Sequence, residues 1–117
     1  MGIVKLWLKH GPGSPGSIAK SLSEDYVKWR NIYPSASHEE LLGHTLKNRL
    51  LTEKMFRFEP LTEKEQERLI KRFNGSLKEL IVFIVQRENP SAAKQRSSMM
   101  EVINEVMENY PDSNSSS

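Results

Sequence analysis

Two short motifs in this chain contain residue types that bind metals or phosphates in other proteins. The first is the string His-Glu-Glu-Leu-Leu-Gly-His, from His38 to His44, which invites comparison with the zinc motif H-E-x-x-H. Zinc needs histidines four positions apart on one helical face, whereas these two are six apart, about 240° around the helix. We therefore expect no metal site. His38 is interpreted as an exposed first-turn residue, and Glu40 with His44 as an ordinary surface pair.

The second motif is glycine-rich. Residues 11–17 read Gly-Pro-Gly-Ser-Pro-Gly-Ser and match the dinucleotide fingerprint G-x-G-x-x-G. Such a loop points backbone amides at a pyrophosphate, but Pro12 and Pro15 have no amide hydrogen to donate. The acidic residue expected about twenty positions later is also missing. We interpret the segment as a stiff turn before a helix, and leave open whether Ser14 and Ser17 bind an anion there.

Composition removes further classes of chemistry. The chain of 117 residues contains no cysteine, which excludes disulfides, thiol nucleophiles and thiolate metal sites. Its formal net charge is only +2, and no segment has the concentrated positive charge of a strong phosphate-backbone binder. The start lacks a signal-peptide cleavage site, and no apolar run is long enough to span a membrane. We expect a small cytoplasmic protein with no cofactor and no catalytic constellation.

The helices that position these residues are organised around residues 75–89. Residues 80–85 form the one run of six consecutive apolar residues, Leu-Ile-Val-Phe-Ile-Val. Its four β-branched residues favour a strand. A capping box at Ser76 and Glu79 and the stop at Asn89-Pro90 favour a helix. We predict a buried central helix. The alternative is an α+β fold with short strands at 3–8 and 80–85.

Four further helices are predicted from apolar spacing and capping residues. They begin at Ser17, Ser37, Thr62 and Asn89, and they end near Tyr33, Lys54, Asn74 and Pro111. The predicted fold class is all-α, a compact bundle of about five helices, with residues 11–110 as a single domain. Residues 1–10 form an apolar and basic N-terminal arm, and residues 111–117 form a disordered polar tail.

Two apolar surfaces are candidates for partner binding. The last helix has a methionine-rich stripe, and methionines re-pack readily against partner helices. The N-terminal arm combines tryptophan and leucine with lysine, which suits a partner-binding segment. The hypothesised contact residues are Trp7, Leu8, Met99, Met100, Ile103 and Met107.

A connection between two predicted helices also contains two aromatic residues. Phe56 and Phe58 lie between the second and third helices, in residues 55–60. We expect them to pack into the core and anchor the connection. Exposure would instead indicate a binding surface.

These features favour a protein-interaction or adaptor module that binds a protein partner or a second copy of the chain. The alternative is a weakly basic helical protein that binds nucleic acid, because the N-terminal third is basic and the second and third helices could mimic a helix-turn-helix. Against this alternative, the connection at residues 55–60 is longer than the usual three or four residues. The basic residues also alternate with acidic ones.

Overall fold

The computed structural model describes residues 7–110, in which every regular element is a helix. Residues 7–9 are helical, and six helices follow: α1 (Pro15–Ile32), α2 (His38–Lys54), α3 (Glu63–Phe73), α4 (Leu77–Glu88), α5 (Pro90–Ala93) and α6 (Arg96–Met107). The prediction of an all-α bundle is confirmed. No helix between residues 7 and 110 combines the length and the apolar character needed to cross a bilayer.

The alternative with strands is wrong at residues 80–85, because they lie within α4. Most of the proposed strand at 3–8 falls outside the described residues. So do residues 1–6 of the N-terminal arm and the predicted disordered tail at 111–117.

Reciprocal capping boxes begin α2 and α3, as predicted. At α2, Ser37 Oγ accepts from the Glu40 amide at 3.1 Å, and Glu40 Oε1 accepts from the Ser37 amide at 3.2 Å. At α3, Thr62 and Glu65 make the same two hydrogen bonds, at 3.1 and 2.9 Å. Each box satisfies two amides that have no partner within the helix, so the boundary is specified locally.

The N-cap of α1 lies three residues earlier than predicted. The N-cap is Ser14, whose Oγ accepts from the Ser17 amide at 3.1 Å. Pro15 occupies the first helical position, where its fixed φ suits the helix and its missing N–H leaves no donor unpaired. The prediction of Ser17 as the N-cap is therefore wrong.

The last predicted helix is divided into α5 and α6. Asn89 and Pro90 begin it as expected, with the Asn89 side chain accepting from the Ala92 amide at 3.2 Å. The helix is interrupted after Ala93, because Gln95 has a ψ of 59°, outside the helical region. After this break, α6 packs against α1.

Helix α4 is the buried central helix that the apolar run predicts. Ser76 begins it, with its Oγ accepting from the Glu79 amide at 3.2 Å. Helix α4 contacts α1, α2, α3 and α5. Its buried side chains are Leu77, Leu80, Ile81, Val82, Ile84 and Val85. Each such side chain contributes about 1.5–3 kcal/mol on burial, which outweighs the weak helix propensity of the β-branched residues.

Ser23 of α1 is buried with its hydroxyl unpaired. It is 0% exposed, and its Oγ has no hydrogen-bond partner in the described part of the chain. An unpaired buried hydroxyl costs about 1–3 kcal/mol, so we expect Ser23→Ala to raise the free energy of unfolding in urea by about 1 kcal/mol. Thr45→Val is the matched control, because Thr45 is equally buried but its hydroxyl donates to the Leu41 carbonyl at 2.9 Å. The control is expected to be neutral or destabilising, and a destabilised Ser23→Ala variant would contradict the prediction.

Candidate functional site

Most of the contact residues hypothesised from the sequence lie inside the protein. Met99 and Ile103 are 0% exposed and Met107 is 2% exposed, in the same core cluster as the buried residues of α1 and α4. Leu8 is also 0% exposed and packs against α5 and α6. The stripe on α6 is therefore covered by the rest of the chain. The spacing of the apolar residues on α6 does not show whether the same chain or a partner covers them, because core helices and interface helices have the same spacing.

The other two hypothesised residues are closer to the surface. Trp7 is 52% exposed, although its neighbour Leu8 is buried. Met100 is partly buried and packs against the core. The structure therefore does not bring the six residues together on one exposed surface.

A different apolar surface is exposed where α2 ends. The exposed fractions are 65% for Leu51, 81% for Met55 and 72% for Phe56. Leu50 and Leu51 are adjacent, and successive side chains of a helix point about 100° apart. Leu50 packs against the core, whereas Leu51 is exposed. Leu51 and Met55 are four positions apart and lie on the same side of the chain. Leu51, Met55 and Phe56 are referred to below as the α2-end patch.

The prediction that both loop phenylalanines pack into the core is wrong for Phe56. Phe58 is partly buried, whereas Phe56 is exposed. Arg57 between them has a φ of 65°, in the left-handed region, and this reverses the chain locally. The reversal returns only the second of the two rings to the protein.

A pocket of about 250 Å³ opens beside the α2-end patch. It lies between the end of α2, the loop after it, the start of α3 and the end of α4. The apolar side chains that line it are Leu50, Leu51, Phe58, Pro60 and Leu61. Pockets for drug-sized ligands measure about 300–1,000 Å³, so this one is better suited to an anchoring side chain. It is referred to below as the loop pocket.

Arg87 of α4 holds the loop that forms the loop pocket. Its Nε donates to Glu53 Oε1 at 2.7 Å, and its Nη2 donates to the Glu59 carbonyl. Its guanidinium also lies 5.9 Å from the centre of the Phe58 ring. These contacts tie the loop and the end of α2 to α4 at three points.

Two carboxyls join two arginines in a buried ionic cluster beside the loop pocket. Arg49 donates to both oxygens of Glu88, from Nε at 2.7 Å and from Nη2. Burial and a hydrogen bond to Glu88 raise the pKa of Glu53, Arg87 opposes both effects, and the net result is a pKa of about 7. Burial also opposes ionisation of Glu88, but hydrogen bonds with Arg49 and Glu53 outweigh it and lower the pKa of Glu88. The raised pKa of Glu53 and the lowered pKa of Glu88 indicate that, when the two carboxyls hold a single proton, it resides on Glu53.

The two histidines of the His-Glu-Glu-Leu-Leu-Gly-His string have structural partners. His38 is partly buried, and its Nδ1 shares a hydrogen bond with the buried Tyr26 hydroxyl. His44 stacks on Trp29 with the ring centres 5.1 Å apart, rather than pairing with Glu40. Residues 7–110 contain no group of three or more His, Cys, Asp or Glu side chains placed to hold a metal ion.

The glycine-rich segment 11–17 forms a capped turn. The Ser17 hydroxyl donates to the Gly11 carbonyl at 2.8 Å. Gly16 is buried, and a Cβ built there would lie 2.2 Å from the Lys9 carbonyl oxygen. This glycine therefore allows the segment before α1 to pack directly against the first turn of the helix.

Comparison with protein families, curated proteins and solved structures gives no match. The α2-end patch and the loop pocket are therefore the basis for a functional proposal. The exposure of Leu51 has no distinct sequence signal, because the adjacent leucines Leu41 and Leu42 of the same helix are both buried. The ionic cluster has none either, because its members come from separate helices.

Proposed function

We propose that this protein is a protein-interaction module that binds an apolar segment of a partner through the α2-end patch and the loop pocket. The observation that carries the proposal is the presence of three strongly exposed apolar side chains within six consecutive residues, the first of which, Leu51, lines the loop pocket. Isolated exposed apolar residues are normal in a monomer, whereas a group of them beside a pocket is typical of contact sites. We propose the cytoplasm as its location, which the absence of cysteine supports.

The site has the layout of a protein interface. An apolar side chain of the partner enters the loop pocket, and Leu51, Met55 and Phe56 cover the segment around it. The polar rim consists of Lys47, Lys54 and Glu63, which line the pocket and are exposed. An apolar centre with a polar rim is the usual organisation of an interface, and the centre contributes most of the affinity.

Leu51→Lys/Met55→Lys is expected to abolish capture of the partner. The two lysine ammonium groups in the centre of the patch would have to be desolvated against an apolar segment of the partner protein. Neither ammonium group would have a negative charge to pair with. Lysine suits the end of a helix, so the folded state is not penalised by the helix dipole. The measurement is affinity capture from a nuclease-treated lysate of the source cells, with bound proteins quantified by mass spectrometry.

Two single variants serve as controls. Ile32→Lys changes a 50% exposed residue at the end of α1, so it matches the test variant in both exposure and helix position. Trp7→Lys changes an exposed apolar residue of the N-terminal arm. Both are expected to capture the same proteins as wild type, and all variants should keep the wild-type melting temperature. Unchanged capture by Leu51→Lys/Met55→Lys would contradict the proposal, and loss of capture on nuclease treatment would favour a nucleic-acid partner instead.

A further inference from the structure

The loop pocket continues into a second, more acidic pocket between α2 and α3. This second pocket has a volume of about 480 Å³ and shares Lys47, Glu63 and Gln66 with the loop pocket. The two helices run antiparallel, because Lys47 pairs with Glu63 near the start of α3, while Gly43 shares the second pocket with Ile70. Along α2 the combined groove extends about 20 Å at 1.5 Å per residue, which is long enough for several turns of a partner helix.

The floor of the groove is apolar and open. Leu46 is buried and Ile70 is partly buried in the second pocket. Gly43 also lines this pocket, and a Cβ built there would have no atom within 4 Å. The space above Gly43 is therefore free for a side chain of the partner.

The two ends of the groove differ in charge. The charged residues of the second pocket are Glu39, Glu40, Glu63, Glu67, Lys47 and Lys71. Glu63 pairs with Lys47 at 3.7 Å, and Glu40 caps α2. Glu39 and Glu67 are exposed and form no ion pair with another residue between 7 and 110. Carboxylates thus predominate where α2 begins, while apolar side chains predominate around the loop pocket.

We propose that this groove binds a basic amphipathic segment of a partner protein, with its apolar residues in the loop pocket and its Lys or Arg residues against Glu39 and Glu67. An amphipathic helix in a groove is a common mode of peptide recognition. Complementary charge at one end fixes the direction in which the segment lies. The inference rests on the proposed function, because it assigns a chemistry to the partner bound by the α2-end patch.

Selection from a display library of random peptides tests this inference directly. The library is selected against the wild-type chain, with peptides long enough to span the groove. The expected result is enrichment of sequences that have apolar residues at helical spacing and an excess of Lys and Arg. The enriched peptide is then synthesised, labelled and titrated by fluorescence anisotropy.

Charge reversal in the groove should weaken binding of that peptide. We expect Glu39→Lys/Glu67→Lys to weaken it about tenfold at low salt, with a smaller difference at high salt, because exposed charges are screened. Glu79→Lys/Glu108→Lys is the matched control: it changes the net charge equally, and Glu79 lies in the first turn of α4 as Glu39 does in that of α2. Neither control residue lines the groove, so wild-type affinity is expected.

The outcomes separate this inference from the function on which it rests. If the peptide binding is lost in Leu51→Lys/Met55→Lys but unchanged in Glu39→Lys/Glu67→Lys, the interaction site stands and the basic partner does not. Enrichment of acidic peptides, or of none, also overturns the inference. If sedimentation shows instead that the chain self-associates, and that Leu51→Lys/Met55→Lys abolishes this, the occupant is a second copy and the inference is overturned.

Discussion

Glu53→Gln is expected to raise the free energy of unfolding by about 2 kcal/mol at a pH of about 8, and Glu88→Gln to lower it by about the same amount. The two residues undergo the same chemical change, and a hydrogen bond links their carboxyls. Opposite signs are expected because one carboxyl is stabilised as the acid and the other as the carboxylate.

The sign for Glu53 follows from its raised pKa. The residue is only 3% exposed, and burial with the hydrogen bond to Glu88 raises its pKa from the ordinary 4.5 to about 7. The folded state therefore holds this proton more tightly than the unfolded state does. The resulting stability is complete below the unfolded pKa and is lost as the pH rises through about 7, which amounts to about 3 kcal/mol at most. Glutamine avoids this loss, because it is uncharged at every pH, accepts from Arg87 and donates to Glu88.

The sign for Glu88 is reversed because its pKa is lowered. Its contribution to stability is present above the unfolded pKa of about 4.5 and is lost as the pH falls through the lower, folded value. Glu88→Gln leaves the guanidinium of Arg49 without its carboxylate, in a pair whose side chains are only 17% and 11% exposed. Removing one partner of a fully buried pair costs about 3–5 kcal/mol. A smaller loss is expected here, because the pair keeps some exposure and Asp25 also interacts with Arg49.

Urea unfolding followed by far-UV circular dichroism measures both effects. Each variant is compared with wild type at the same pH, at about 5 and about 8, so that titration of the three histidines cancels. Glu53→Gln should match wild type at the lower pH and exceed it at the higher one. Glu79→Gln, at an exposed position, is the control and should match wild type at both. Equal destabilisation by Glu53→Gln and Glu88→Gln at the higher pH would contradict the assignment of the proton.

Helix boundaries could be predicted from the sequence because capping is a local interaction. Ser37 and Thr62 each act with a glutamate three positions later, and neither box depends on the rest of the fold. The error at α1 has a similarly local cause. Ser14 and Ser17 both have the side chain of an N-cap, and the preference of Pro15 for the first helical position decides between them.

The site could be predicted only in part, because its residues are distant in the sequence. Glu53 and Arg87 are 34 positions apart, and Arg49 and Glu88 are 39 apart. Nothing near either residue of a pair indicates the other. Helical spacing likewise identifies an apolar face without showing whether the same chain covers it, so the spacing on α6 fits a partner-binding stripe as well as the core that the structure shows. The exposure of Leu51 is equally hard to predict, because the adjacent leucines Leu41 and Leu42 of the same helix are both buried.

Gly16→Ala is expected to lower the free energy of unfolding by about 2–3 kcal/mol, although alanine is the better helix former by about 1 kcal/mol. The new Cβ would lie 2.2 Å from the Lys9 carbonyl oxygen and 2.8 Å from two other backbone atoms of that residue. Backbone atoms cannot move aside as a flexible side chain can, so the segment before α1 must shift. Gly43→Ala is the matched control within α2. Its Cβ meets nothing within 4 Å, and it should raise stability by about 0.5–1 kcal/mol.

A double variant tests whether Gly16 acts through the segment that precedes α1. Leu8 is 0% exposed and attaches this segment to α5 and α6, so Leu8→Ala alone is expected to cost about 2–3 kcal/mol. If the new methyl group displaces the segment, Gly16→Ala already removes the packing of Leu8. The double variant should then be little less stable than the worse of the two single variants, because both remove the same contacts. Fully additive losses in urea unfolding would mean instead that the alanine disturbs α1 itself and that the close approach of Lys9 to the helix contributes nothing to stability.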